Sequence, residues 1–501
     1  MSLEDNPSKL KKILKPFDLI MMGVGCIIGV GIYILSGVAS ANYAGPAIII
    51  SFILAGCLCA IVGLCYGELA SMFPLSGSAY SYSYHSLGRA TAWFLGWTLI
   101  LEYMIAASAV SAGWSSYFQK FLEKTFNINL PNYLTNVPGT IEGHWSINLP
   151  AVFVLFFITI LSIWSMKESA KFNNFMALLK ISVLLFFIII CLPHVNPANW
   201  TPFIPERIAT IKEITDHSGI FELPMIDFIK KLFFGIQMSD TSKVWHYGIQ
   251  GILTGSAIIF FTYVGFDMVS SVAEETENPQ RDVPIGIIGS LLIATILYIC
   301  VTLVLTGVMP ASINGLPNET LVSSAPLSVA IDSVSKSKIP LTILSIGALA
   351  GLTTSILTLT IALSRITLAI ARDKFMPVFL AHIHPERRTP HIAIIIMNSL
   401  VALIAMCFPV DKLAKLCNIG TLGAFTLVCF IVILLRIRDK ERKRIFKCPF
   451  VPALPIAGII FCTILMISLP IITWLWYFVW LSLGAIIYIF YSRARVERFP
   501  K

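Results

Sequence analysis

Apolar runs of about 20 residues recur along the whole chain, each long enough to cross a bilayer as a helix. No other feature constrains the fold as much. In hydrocarbon every backbone N–H and C=O must find its partner within the protein, so such runs become helices packed side by side. Only 13% of the 501 residues are charged and 56% are hydrophobic, whereas a soluble chain carries about a quarter charged. The expected class is all-α integral membrane, with one membrane domain taking up nearly the whole chain. No cleavable signal peptide is expected, because residues 1–16 are polar and lysine-rich and the first apolar run is too long.

The pattern predicts twelve helices, near 17–40, 46–72, 90–118, 149–166, 172–193, 249–275, 284–308, 341–371, 391–408, 412–435, 452–471 and 473–492. An even number puts both termini on one side. With the termini inside, the inner segments hold 23 of the 36 basic residues and the three long outer loops hold nine. That bias predicts cytoplasmic termini. The net charge of +9 follows from it and implies anionic lipid at the cytoplasmic basic loops. Nucleic acid is not expected as a partner. The run "RIRDKERKRIFK" (436–447) reads as a solvated loop. The eleven cysteines fall mostly within apolar runs, so they are expected to be fillers, not disulfides. Cys57 and Cys59 lack a second ligand pair, and no metal site is expected there or at His382 and His384.

Two spans combine length with breaking residues. The stretch "GVGCIIGVG" (23–31) places Gly23, Gly25, Gly29 and Gly31 about halfway along the first run. Small residues at this spacing serve close helix packing, but they also permit a break. The sixth run carries "FFTYVGFDMVSS" (260–271), with Gly265 and Asp267 at its middle. A carboxylate at that depth is costly, and Asp267 is expected to cap a second half-helix after a break. The first and sixth spans open two five-helix blocks, and an odd number of spans per block inverts the second. Paired discontinuous helices in inverted halves point to a transport site. A half-helix that starts at a break offers N–H groups and one that ends there offers carbonyls. Together they suit the carboxylate and ammonium of an α-amino acid.

Two charges lie deep in other spans. Lys180 stands about eight residues into the fifth, roughly 12 Å deep. It either snorkels or acts as an ammonium in place of a bound cation, near the freed carbonyls of the first span, loading and releasing a proton. Glu102, deep in the third span, is expected to pair with Lys180, relay a proton, sense a cationic side chain, or make a structural hydrogen bond. Arg365 is expected to snorkel or form a structural ion pair. Phe261 flanks the second break, where it packs or gates a small pocket.

From Phe17 to about residue 492 the chain resembles the amino acid–polyamine–organocation transporters, most closely the cationic amino acid transporter branch. The matching stretches are "GVGCIIGVGIYILSG" (23–37), "GPAIIISFILAG" (45–56), "YGELASMFPLSGSAYSYSY" (66–84), "FFTYVGFDMVSSVAEETENPQRDVPIGI" (260–287), "RITLAIARDKFMP" (365–377) and "NIGTLGAFTLV" (418–428). The resemblance implies a LeuT-like five-plus-five inverted repeat with discontinuous helices 1 and 6, plus two extra helices. It implies that Ile27, Val30 and Gly31 meet the substrate carboxylate and that Phe261 and Val264 meet the ammonium, with Gly29 and Gly265 at the breaks. It makes Lys180 similar to the lysine that takes a sodium position in sodium-independent members, which points to proton coupling, and Glu102 similar to the branch's third-span glutamate. Val30 departs from the threonine or serine of many relatives. Glu274, Glu275 and Arg281 look like the family's loop after the sixth helix, structural or gating in role.

The expected organisation is a cytoplasmic segment 1–16, a transporter core 17–435, a basic loop 436–450, helices 11 and 12 in 451–492, and a cytoplasmic tail 493–501. The expected activity is secondary active transport of cationic or small neutral L-amino acids, proton-coupled, without sodium or another cofactor, in a plasma or bacterial inner membrane. An amino acid/amine exchanger on the same fold is the alternative. A channel would need a continuous polar face along several spans, where single polar residues stand instead; a membrane-embedded enzyme would need His, Asp or Ser clusters near one interface, yet no histidine lies deep in a span. A small accessory membrane subunit is left open.

Overall fold

The computed structural model describes residues 12–138, 146–164, 166–206, 208–211, 225, 243–313, 316–322, 325–335, 337–442 and 444–492. Residues 1–11 and 493–501 lie outside the described residues, and with them Lys9, Lys11, Arg493, Arg495, Arg498 and Lys501. Among the described residues the only strands form two small antiparallel pairs, Ile208–Ile211 with Lys243–His246 and Ser312–Ile313 with Leu316–Pro317.

Eight helical stretches among these residues are long and apolar enough to cross a membrane, and three further apolar helices are shorter. The first stretch, Pro16–Met72, is 57 residues long and divides at Gly45, whose φ of +62° suits glycine. Its first part is α1, which runs Pro16–Ile27 and resumes as wide turns from Gly31 to Ala44. Its second part is α2, Ile48–Met72. There follow α3 (Arg89–Phe126), α4 (Leu149–Trp164), α5 (Met166–Cys191) and α6, which spans Gly248–Ser271 in pieces. The remainder are α7 (Pro279–Val308), α8 (Lys338–Arg372), α9 (His391–Cys407), α10 (Val410–Arg438), α11 (Ala453–Ile467) and α12 (Ile471–Ile487).

Local chemistry sets several boundaries. Asn127 ends α3 in the left-handed region (φ 55°), with its N–H bonded to Glu123 O at 3.1 Å. The α3 helix therefore outruns its predicted end near 118, because Gln119, Lys120 and Glu123 continue it as polar helix. Pro279 opens α7, where its missing N–H is no loss. Ser337 caps α8 by accepting the Ile339 N–H at 3.3 Å.

Burial sorts the helices. In α3, 94% of the most apolar window is inside the protein, against 11% in α12. Phe153 and Phe156 of α4 and Phe478 and Ile486 of α12 point outward, a liability in water and the natural state against lipid. Helices α1, α2, α6 and α7 pack on one another; α3, α4, α5, α8 and α9 form a second group. The broken α1 lies between them, against α5, α7 and α8.

At the end of the bundle where α1 begins, four chain segments tie together. The N–H groups of Ile13 and Leu14 both donate to Glu275 O at 2.9 Å, and Glu277 N–H donates to Leu14 O at 3.0 Å. The Glu275 carboxylate holds Arg365 of α8 by two bonds, at 2.7 and 3.3 Å. Both side chains are buried, 1% and 2% exposed, so Arg365 is an ion-pair partner and does not snorkel. Beside it Glu274 accepts from Arg372 at 2.9 Å and from Ser76 N–H at 3.0 Å.

Most described residues of the basic run 436–447 are exposed, as expected of a solvated loop, but Arg436 and Arg444 turn inward. Glu68, at the buried end of α2, accepts from Arg436 at 2.9 and 2.8 Å and from Cys448 N–H at 2.8 Å. Arg444 Nε stands 3.1 Å from the same carboxylate, and Arg442 lies over the Phe73 ring at 4.2 Å. A buried carboxylate needs a cation, and Arg436 in the last turn of α10 supplies it together with Arg444 of the following loop.

Candidate functional site

The first break falls where the glycines allow it. Ile28 leaves the helix with ψ at 90°, its N–H still bonded to Val24 O at 3.1 Å. The helix resumes at Gly31. Carbonyls 25, 27 and 28 are freed by this turn, and each must be satisfied. Lys180 Nζ donates to Gly25 O at 2.7 Å and to Ile28 O at 2.9 Å, and to Thr354 Oγ1 at 3.0 Å. Ser355 Oγ of α8 also donates to Gly25 O at 2.8 Å. Lys180 is fully buried. Its ammonium sits among oxygens as a bound cation would, so the snorkelling alternative does not hold.

The second break has the same form. Regular helix ends at Ile259, a tight turn covers Phe260–Tyr263, and Val264 is extended at ψ 133°. Gly265 takes φ +102°, a conformation that favours glycine. A β-carbon there would overlap Cys26 Sγ, and one at Gly31 would overlap Thr262. The two breaks therefore meet at glycines, Gly265 against the Cys26 side chain and Gly31 against Thr262.

The predicted binding residues lie in the two broken segments. Ile27, Val30, Phe261 and Val264 are all buried, and Val30 Cγ2 fills the place a side chain on Gly113 of α3 would need. Gly29 approaches Ser355 of α8. Gly29, Val30 and Gly31 open the resumed half of α1, where amides lack partners within the helix and carry the positive end of its dipole.

The carboxyls are arranged differently from expectation. Asp267 makes no side-chain cap bond to the short helix Met268–Ser271; its Oδ2 instead accepts the Tyr103 hydroxyl of α3. The turn is closed by main chain, with Met268 N–H on Gly265 O at 3.2 Å. The structure does not bring Glu102 to Lys180. Glu102 faces α10, near Thr421, and both carboxyl oxygens are buried with no hydrogen-bond partner. Among the described residues no group of three or more His, Cys, Asp or Glu side chains could hold a metal ion.

Sequence reasoning missed Tyr298 of α7. Its hydroxyl lies 2.6 Å from Ile27 O and 2.9 Å from Thr262 O, one carbonyl from each break. A lone tyrosine in an apolar span carries no signal of this role. Ser355 and Thr354 had one, the polar triplet "TTS" (353–355) within α8. Replacing Tyr298 with phenylalanine is expected to cost about 1–3 kcal/mol, the penalty for unpaired buried carbonyls. Amide exchange in residues 27–31 and 262–268 should quicken together; unchanged exchange would remove the stapling role.

Comparison with known proteins gives a concordant result. A family model described as amino acid permease matches residues 14–491. The chain is similar to the Methylthioribose transporter of Bacillus subtilis (strain 168), 40% identical over 98% of this chain and 96% of that protein. It is equally similar to the Branched-chain amino acid permease BcaP of the same organism, 40% identical over 97% and 94%. The Cationic amino acid transporter 9, chloroplastic, of Arabidopsis thaliana is 34% identical over 85% of this chain and 67% of that protein.

Proposed function

The chain belongs to the amino acid permease family of membrane transporters, and on that premise we infer that it is a proton-coupled importer of small neutral L-amino acids. The observation that carries the coupling is Lys180, an ammonium seated among Gly25 O, Ile28 O and Thr354 Oγ1. A tethered cation there leaves no need for sodium. Losing its proton removes a charge and a donor from the joint between α1 and α8, which favours a different packing of the two helix groups. The proposed architecture is a five-plus-five inverted repeat with α11 and α12 added, working by alternating access.

Substrate would bind where α1 and α6 break, its carboxylate on the amides of Gly29, Val30 and Gly31, and its ammonium on the carbonyls beside Phe261 and Val264. Apolar Ile27, Val30, Phe261 and Val264 favour a short or branched aliphatic side chain. A cationic side chain is the second reading, because Glu102 has two buried oxygens without a partner. The setting is a plasma or bacterial inner membrane with cytoplasmic termini. Exposed Arg438, Lys440 and Lys447 would meet anionic lipid, since Arg436 and Arg444 are taken by Glu68. An exchanger on the same fold would differ only in coupling.

A binding screen of the standard amino acids and methylthioribose on purified protein, at acid and alkaline pH, tests this. Small aliphatic L-amino acids are expected to bind, more tightly at one pH. Preference for arginine or lysine would favour the Glu102 reading. Binding of methylthioribose alone, which lacks the zwitterion, would overturn both.

A further inference from the structure

We propose that the proton of Lys180 travels along the seam between α1, α5 and α8, passing Tyr33 on one side of the lysine and Asn173 on the other, apart from the substrate path. This rests on the proton-coupled reading above. Two buried polar side chains without partners bracket the ammonium. Asn173 lies seven residues before Lys180 on α5, about 10 Å along the axis, and is 1% exposed with neither amide atom hydrogen-bonded. It rests against Gly25, where a β-carbon would overlap its Oδ1, and Gly25 O is one of the lysine's own acceptors. On the opposite side the Tyr33 hydroxyl is fully buried and unpartnered. Tyr33 Oη and Lys180 Cδ each lie 3.3 Å from the point where a β-carbon on Gly351 of α8 would stand.

Buried polar groups go unpaired at a cost, and a path that carries protons through transient water gives such groups a use. At the end of the seam Asn174 donates to half-exposed Asp18 at 2.6 Å, and its own Oδ1 has no partner. The polar sequence is thus Asp18, Asn174, Asn173, Lys180, Tyr33. The titratable groups facing Lys180 are Cys26 and Tyr33 of α1. The Tyr298 hydroxyl is held by Ile27 O and Thr262 O and Asp267 by the Tyr103 hydroxyl, and Asp267 and Glu102 act on Cys26. From α8 it meets the hydroxyls of Thr354 and Ser355, which carry no charge. Water held by Asn173 would take the ammonium proton toward Asp18, and the Tyr33 hydroxyl would relay one back, giving its proton to the amine as it accepts another from water on its far side.

The test uses full-length protein in liposomes, comparing uptake driven by a pH gradient with counterflow at equal pH. Asn173→Leu and Tyr33→Phe should each slow gradient-driven uptake by about tenfold or more, within the range for loss of a positioned proton-transfer group. Counterflow should stay within about twofold, and Asn173→Ser should restore much of the driven rate. Wild-type driven uptake in both variants, alongside a Lys180→Ala protein that has lost pH dependence, would overturn the route and leave the coupling intact. Loss of counterflow in both Asn173→Leu and Asn173→Ser would also overturn it, as the mark of a structural role. Retained pH dependence in Lys180→Ala would remove the coupling reading itself.

Discussion

Replacing Lys180 with alanine is expected to abolish the response of uptake to a pH gradient while leaving counterflow measurable. The ammonium supplies three donors to the α1–α8 joint. Its removal leaves Gly25 O to Ser355 and Thr354, at 2.8 and 3.4 Å, and Ile28 O to Ser355 at 3.2 Å. Partial cover limits the stability loss to about 1–3 kcal/mol, the scale of one or two buried groups left short of a partner. Accumulation against a gradient should fall to simple equilibration, because no group at the joint then changes charge with the cycle. Arginine at the same position should also stop net transport, for the opposite reason: a guanidinium does not release its proton. Gradient-driven accumulation in either variant would contradict the assignment. In both, thermal unfolding reports whether the fold survived.

The second large effect concerns the ion pair at the N-terminal end of the bundle. Arg365→Met leaves Glu275 as an unpaired carboxylate in a site where both members were buried. Breaking such a pair costs about 3–5 kcal/mol. Replacing both residues with apolar ones of similar volume should recover much of that loss. Glu275 also anchors residues 13 and 14 through its carbonyl, so the single variant should loosen this end. Cys26, buried beside the break, is the reporter. Its alkylation, followed by peptide mapping to separate it from exposed Cys57, Cys300 and Cys407, should rise in Arg365→Met and fall back in the double variant. A single variant as stable and as unreactive as the parent would show that the pair does not close this end.

Features that act within one helix were readable in advance. Glycines 25–31 announced a turn in α1, and Gly265 with Asp267 announced one in α6, since breakers and carboxylates are costly in lipid. Lys180 was conspicuous for the same reason. Features that depend on partners far along the chain were not. Glu68 and Arg436 are 368 positions apart, and composition alone gives the loop a solvated face. Tyr298 and Tyr103 look like ordinary aromatic residues in apolar spans, and their hydroxyls gain meaning only once α6 and α1 are bent toward them. Asp267 was given the right location and the wrong partner. A cap is the nearest use for such a side chain, but a tyrosine from α3 reaches it first.

The seat of Lys180 has a consequence for the conditions under which the cycle can run. A diffusible ion leaves its cage when the surroundings become dilute in it, so occupancy tracks supply. An ion fixed to the scaffold by its own side chain keeps an effective concentration that dilution cannot lower. On the proton-coupled reading proposed above, brackish and fresh surroundings would load the cage equally, and acidity would be the external variable to which the joint answers.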